Sequence, residues 1–293
     1  SIPESEIEIG GDAGKQALAA IEHTFGRTES VWKPVVATEG FEVVRRRLFS
    51  KCRDEVKRDE VCSAFSQMYQ NNPTDFPIQA REAEYMERVK SCYPIHPEVF
   101  DHLYEEWSTL DKFQRTRGVL RLMAAVIHEL WMNGDASAMI MPGSFPLDVP
   151  AVRDELTRYL PEEWNGIVDS EVDGRNSAPY RQDTSTTRYG DLIASRRLAR
   201  TIMLGSAPSK GEQGARGIEV SRIRLGTIQP GENIAVFNDA LNTLKGSLSY
   251  LYTSSSGDHY WYDTRPTLRK TVEDRAKQFR DDDVYLEIEN SLR

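Results

Sequence analysis

The stretch "RTRGVLRLMAAVIHELW", residues 115–131, carries the clearest periodicity in the chain and decides its fold class. Val119, Leu122, Met123, Val126, Ile127 and Leu130 recur at i, i+3, i+4, i+7, i+8 and i+11, on one face of a helix. A stripe that wide has to be buried, so the segment predicts a core helix of an α-rich protein. Arg117, Arg121 and His128 fall on another face. The two guanidinium groups stand one turn apart near the helix start, where they can meet phosphate oxygens. The alternative is pairing with nearby carboxylates, such as Glu105, Glu106 and Asp111.

Upstream of this helix the chain reads as further amphipathic helices. Thr38 can cap one through "EGFEVVRRRLF"; "RDEVCSAFSQMY" and "IQAREAEYMERVKSC" predict two more, separated by the polar "QNNPTDFP". Pro97 stands at the first turn of "PEVFDHLYEEW". At the very start, "GGDAGKQALAAIEHTFGR" (residues 10–27) has the Gly-Lys pair of a phosphate-binding loop. The early glycine position of G-x-x-x-x-G-K-[ST] holds Ile9, however, and the hydroxyl position holds Gln16. A helix capped by Asp12, with Ala17, Leu18, Ile21 and Phe25 as its apolar stripe and Gly26 as its end, fits better.

Downstream the pattern changes. Residues 166–188, "GIVDSEVDGRNSAPYRQDTSTTR", read as a long loop with one short strand at residues 167–169. A helix follows in "YGDLIASRRLARTIMLGSAP", with Arg196, Arg197 and Arg200 expected on its exposed side as candidate nucleic-acid contacts. Between Tyr189 and Gln229 there are seven Lys or Arg against three Asp or Glu, a local excess of +4 in a chain of net charge -9. Then come a short helix in "GIEVSRIRLG", a second in "ENIAVFNDALNTLKG", and a hairpin in "LSYLYTSSSGDHYWYDT". Helix, helix, two-stranded wing is the order of a winged helix. The wing tyrosines and Trp261 can stack on bases or, more simply, pack across the hairpin. Arg265, Arg269 and Lys270 beyond the wing are placed for phosphate contact, opposed by Asp258, Asp263, Glu273 and Asp274. A final helix from Pro266 ends in an acidic tail.

The bulk composition fits this reading. Of 293 residues, 39% are hydrophobic and 28% charged, enough for a core; no run approaches the ~20 apolar residues of a membrane span. Three cysteines without C-x-x-C spacing indicate neither a disulfide framework nor a zinc site, and suit a reducing cytoplasm. The acidic balance argues against a surface coated in nucleic acid, though not against a local basic patch. Neither a nucleophile elbow, an H-E-x-x-H pair nor a strand ending in Asp-Glu for magnesium is present, so this polypeptide alone is not expected to hydrolyse ATP.

The segments "GKQALAAIEHTFGR", "VWKPVVATEGFEVVRRRLF", "YPIHPEVFDHLYEEWSTLDKFQRTRGVLRLMAAVIHELW", "MIMPGSFPLD" and "RTIMLGSAP" with "RGIE" resemble a known family. It is the C-terminal half of large AAA+ ATPases in a domain-of-unknown-function family, encoded beside DNA methyltransferases and phage-defence genes, with the ATPase of the phage growth limitation system among the relatives. The resemblance implies a nucleotide-binding core earlier in a longer protein, which would supply ATP and Mg; none is implied for this chain. It implies an arginine finger at Arg27, in "FGR", reaching a neighbouring subunit, and a lid helix whose Arg117 or Arg121 senses nucleotide in cis. It further implies a winged region that binds DNA or another partner. The expected fold is mainly α with a smaller α+β part, a helical lid-like domain before a winged-helix-like region. The expected divisions are 1–50, the end of the ATPase core; 51–135, the lid; 136–230, an irregular linker with a basic face; and 231–293, the winged region and tail. The expected partners are the upstream core, further copies of the chain and DNA, with no membrane.

Overall fold

The computed structural model describes residues 37–110, 113, 115–207, 216–279, 285 and 288–291. Arg27 and the helix expected over residues 12–25 lie outside the described residues. Among those described, the protein is mainly helical with one small three-stranded antiparallel sheet.

The first half is built from α1 (Ala37–Leu48), α2 (Glu55–Asn71), α3 (Ala83–Cys92), α4 (Pro97–Asp101) and α5 (Arg115–Met132). Each start has a local cause. Asp54 caps α2 by accepting a 3.0 Å hydrogen bond from the Lys57 N–H. His96 caps α4, where Pro97 has no N–H to lose. After α4 the backbone widens into a π-helical turn, His102–Glu106. In α5, Val119, Leu122, Met123 and Val126 are buried, with Ile127 and Leu130 half-buried against them. That helix packs on α1 and on α6 (Pro150–Thr157).

Residues 166–188 depart from the sequence expectation of a loop with a strand. They continue α7 (Glu163–Ile167) through a second π-helical turn, Val168–Val172, into α8 (Ala178–Ser185) and the start of α9 (Thr187–Gly190). The reason is burial: Trp164, Ile167, Val168 and Val172 all enter the core, a helical spacing hidden by intervening polar residues. Ser177 caps α8 through a 3.2 Å bond from the Tyr180 N–H. The helix expected from residue 189 is interrupted at Ile193, whose φ of 50° is left-handed, and resumes as α10 (Ala194–Ser206).

From α10 the chain runs through β1 (Ile218–Glu219), α11 (Val220–Leu225), α12 (Ile234–Ser247), β2 (Leu251–Thr253) and β3 (His259–Tyr262). The sheet order is β1-β3-β2 with both pairings antiparallel, Ile218 opposite Tyr260 and Leu251 opposite Tyr262. Helix, strand, two helices and a hairpin in this sheet order is winged-helix topology. It takes in α10 and β1, which the sequence divisions leave in the linker. The segment 217–226, expected as one helix, begins as a strand because Gly217, at φ +95°, brings the backbone within reach of Tyr260; a Cβ there would lie 2.6 Å from the Tyr260 carbonyl oxygen. Thr267 caps α13 (Leu268–Ala276).

One continuous core joins the halves, from Val44 to Tyr262. The two segments flanking α5 meet directly: the His96 N–H donates to the Ile140 carbonyl and the Ile140 N–H to that of Pro94, both at 2.9 Å. The 142–144 turn then seats on α10, and Trp107, fully buried, donates through Nε1 to the Leu204 carbonyl at 2.7 Å. Gly205 allows this approach, since a Cβ would sit 3.0 Å from His102 Cε1 and 2.7 Å from Ile218 Cδ1. No helix among the described residues is long and apolar enough to cross a membrane.

Candidate functional site

The outer face of α5 is the side opposite its buried stripe, so the packing that anchors the helix also fixes what it displays. Arg117, Arg121, Ala124 and His128 are all exposed and line this face at successive turns, with Trp131, 83% exposed, just beyond. The structure thus brings the two sequence-predicted arginines together one turn apart. Arg121 Nη2 donates to Glu155 Oε1 of α6 at 2.7 Å while half of its side chain stays in solvent. Glu155 also receives Arg158, at 3.1 Å from Nη1. The carboxylate pairing anticipated for Arg121 therefore exists, with Glu155 in place of Glu105; the latter faces Arg222 at 3.8 Å. An exposed pair of this kind contributes little to stability, about 0 to 1 kcal/mol.

The exposed basic face expected on α10 is absent. Arg200 is 8% exposed and bonds Asp173, itself 0% exposed, at 2.8 Å, and the Gly143 carbonyl at 3.3 Å. Arg197 holds Glu232 with both terminal nitrogens, at 2.6 and 3.0 Å, and lies over the Phe237 ring. Arg196 lies 3.6 Å from Asp183 and over the Tyr180 ring. Burial raises the carboxyls of Asp173 and Asp183; Arg200 pulls Asp173 back towards the charged form, and hydrogen bonds from Ser195, then Arg196, do so for Asp183. These cations fasten α10 to its neighbours. The local charge excess misleads because their partners lie outside the counted window: Asp173 and Asp183 precede it, and Glu232 follows it.

Beyond the wing, Arg269 donates to the carbonyls of Gly246 and Leu248, closing the C-terminal end of α12, and lies 3.6 Å from Glu273. Lys270 pairs with Asp274 at 2.9 Å, which raises its pKa. Arg265 is exposed. The wing turn carries Asp258, whose carboxylate is held by His259, Ser254 and Ser256 and kept well below the usual range. Tyr252 and Trp261 stack on each other across the hairpin at 5.7 Å with Arg216 over the indole, so these aromatics pack as expected.

A buried polar cluster beneath α4 escaped the sequence reading. Glu98 and His102, one turn apart, lie 3.5 Å from each other, and Glu98 accepts from Arg222 Nε of α11 at 3.2 Å. Burial pushes the Glu98 carboxyl up to about 7 against the opposing pull of Arg222. Burial, reinforced by Arg222 and His96, holds His102 well below the ordinary histidine range. His96 is likewise lowered, to about 3, by burial and by Arg88. Because His96 Nδ1 accepts from the Glu98 N–H, its proton sits on Nε2, donated to Tyr69 Oη at 2.9 Å. The i, i+4 spacing of Glu98 and His102 was visible, but Arg222, 124 residues away from Glu98, was not predictable as their partner.

The fold and this surface define a helical protein with a winged-helix segment and an exposed arginine pair on its central helix. The family described as DUF499 second domain matches residues 36–262, and the chain belongs to it. No curated protein and no solved structure matches the chain.

Proposed function

We propose that this chain is the nucleotide-responsive lid and winged-helix region of a larger AAA+-type ATPase of bacterial or archaeal phage defence. The carrying observation is the display of Arg117 and Arg121 on the solvent face of α5, a helix anchored in the core by its other side. Planar guanidinium groups one turn apart suit phosphate oxygens. A family described as a second domain implies a further domain in its proteins, and the sequence motifs resemble regions that follow a nucleotide-binding core. That core would hold ATP and magnesium; among the described residues no group of His, Cys, Asp or Glu has metal-holding geometry. Arg27 is the candidate to reach a nucleotide held by a neighbouring copy.

In this reading Arg121 exchanges Glu155 for the triphosphate, and the exchange reverses once the terminal phosphate leaves. Each nucleotide state then favours its own position of α5 relative to the nucleotide-bearing domain. The continuous core between α5 and α10 carries that position to the winged segment, whose Asp258 tip and engaged arginines suit a protein partner better than a phosphate backbone. The test is ATP turnover by a protein carrying this domain beside its nucleotide-binding domain. Arg117→Ala with Arg121→Ala is expected to lower turnover by about 100-fold, the scale for losing a preorganised cation or donor at a reacting phosphate. Unchanged turnover overturns the proposal.

A further inference from the structure

A second surface, independent of the arginine pair, lies between α2 and the start of α12. A cleft of about 660 Å³ is lined on one side by Ala64, Gln67, Met68 and Asn71, which share one face of α2. The turn before α12 and its first residues, including Asn233 and Asn238, form the other side. The lining is rich in carboxamides with spare capacity. Gln67 and Asn71 are exposed and have no hydrogen-bond partner among the described residues. Asn233 and Asn238 each spend the side-chain oxygen internally, on the Ala235 N–H and on Arg224 Nε, so their NH₂ groups have no partner among the described residues.

The cleft continues along α2 into a shallower depression that shares Ala64 and Gln67 and extends to Ser63, Glu60, Asp59 and Val56. From Val56 to Asn71 the helix rises about 22 Å, the span of about seven residues of extended chain. Small residues at the centre, Ser63 and Ala64, leave room for a backbone to approach, while Val56, 69% exposed, offers an apolar contact at one end. Charge narrows the ligand class. The acids in the cleft are already engaged, Asp75 with Arg224 and Glu232 with Arg197, and no cation lines either depression. At the Val56 end Arg58 holds Asp59 at 2.9 Å, while Glu60 is exposed and has no ion-pair partner among the described residues.

We propose that this groove binds an extended polypeptide segment of a partner protein, with a lysine or arginine of that segment directed to Glu60. A carboxamide offers one donor and one acceptor side, matching the N–H and C=O of a peptide unit, so a row of them reads main chain. The unpaired Glu60 carboxylate at that end disfavours a nucleic-acid backbone and favours a basic side chain.

The test is selection of a displayed heptapeptide library on the full chain, with the Gln67→Ala, Asn71→Ala double variant as counter-target, followed by anisotropy on synthesised, end-blocked winners. The expected peptides carry Lys or Arg at one end. They lose about tenfold or more in affinity, roughly 1.4 kcal/mol, on Lys→Glu exchange, on N-methylation of alternate backbone amides, and against the double variant. Both substituted residues are exposed, so an unchanged melting temperature is expected to accompany the loss. Absence of enrichment, binding indifferent to N-methylation or to the double variant, or displacement by an oligonucleotide at equal concentration overturns the proposal.

Discussion

Arg200 reaches 27 residues back along the chain to place Nη2 2.8 Å from Asp173, a carboxylate with no exposed surface. The same carboxylate accepts the Asp148 N–H at 2.9 Å, so one ion pair ties α10, the 142–148 segment and the end of the second π-helical turn. Removing one partner of a buried pair strands the other charge. Arg200→Ala is therefore expected to destabilise the fold by about 3 kcal/mol, read as a lowered urea midpoint with an unchanged slope. A change under about 0.5 kcal/mol would return Arg200 to the surface role read from the sequence.

The buried histidines set an acid limit. His96 and His102 stay neutral in the fold below the pH at which the unfolded chain protonates them, near 6.5. Their contribution is present above that pH and is lost progressively as pH falls from there towards the folded-state values, about 3 for His96. Glu98 acts in the opposite sense: raised to about 7 from 4.5, its contribution is present below 4.5 and is lost as pH rises through 7. Comparing His102→Asn with the parent isolates the histidine. The parent is expected to lose about 1.4 kcal/mol more per pH unit between pH 6 and 5, measured by urea unfolding at each pH. Parallel curves would mean that His102 protonates freely in the fold.

Nucleic acid should bind weakly. With α10's arginines internal and Asp258 at the wing tip, this chain is expected not to shift a duplex DNA probe at about 150 mM salt, where phosphate contacts have already lost most of their strength. A salt-sensitive shift abolished by Arg265→Ala would show that the wing side meets phosphate after all.

The legible part of the fold was the part with strong local signals. The stripe of α5, the Pro97 start, and the buried Val236, Phe237, Ala240, Leu241 and Leu244 of α12 all follow from spacing. The wing followed from alternating aromatics around a Ser-Gly turn. The helices of residues 163–190 were hidden because their buried positions are few and separated by Gly, Pro, Asp and Ser, whose local preference for turns was overridden by tertiary burial. At the site, spacing placed Arg117 and Arg121 on one exposed face. It could not distinguish an exposed arginine from one turned inward, because Asp173 and Glu232, which capture Arg200 and Arg197, are distant in sequence.

The central claim is that Arg117 and Arg121 contact a triphosphate, and arginine-selective labelling with phenylglyoxal, quantified by mass spectrometry, tests it most directly. In a protein carrying this domain beside its nucleotide-binding domain, both side chains are expected to label without nucleotide and to be protected about tenfold by a non-hydrolysable ATP analogue but not by ADP, with buried Arg200 unlabelled throughout. Equal labelling of Arg117 and Arg121 with and without the analogue, in protein shown to have bound it, would contradict the account.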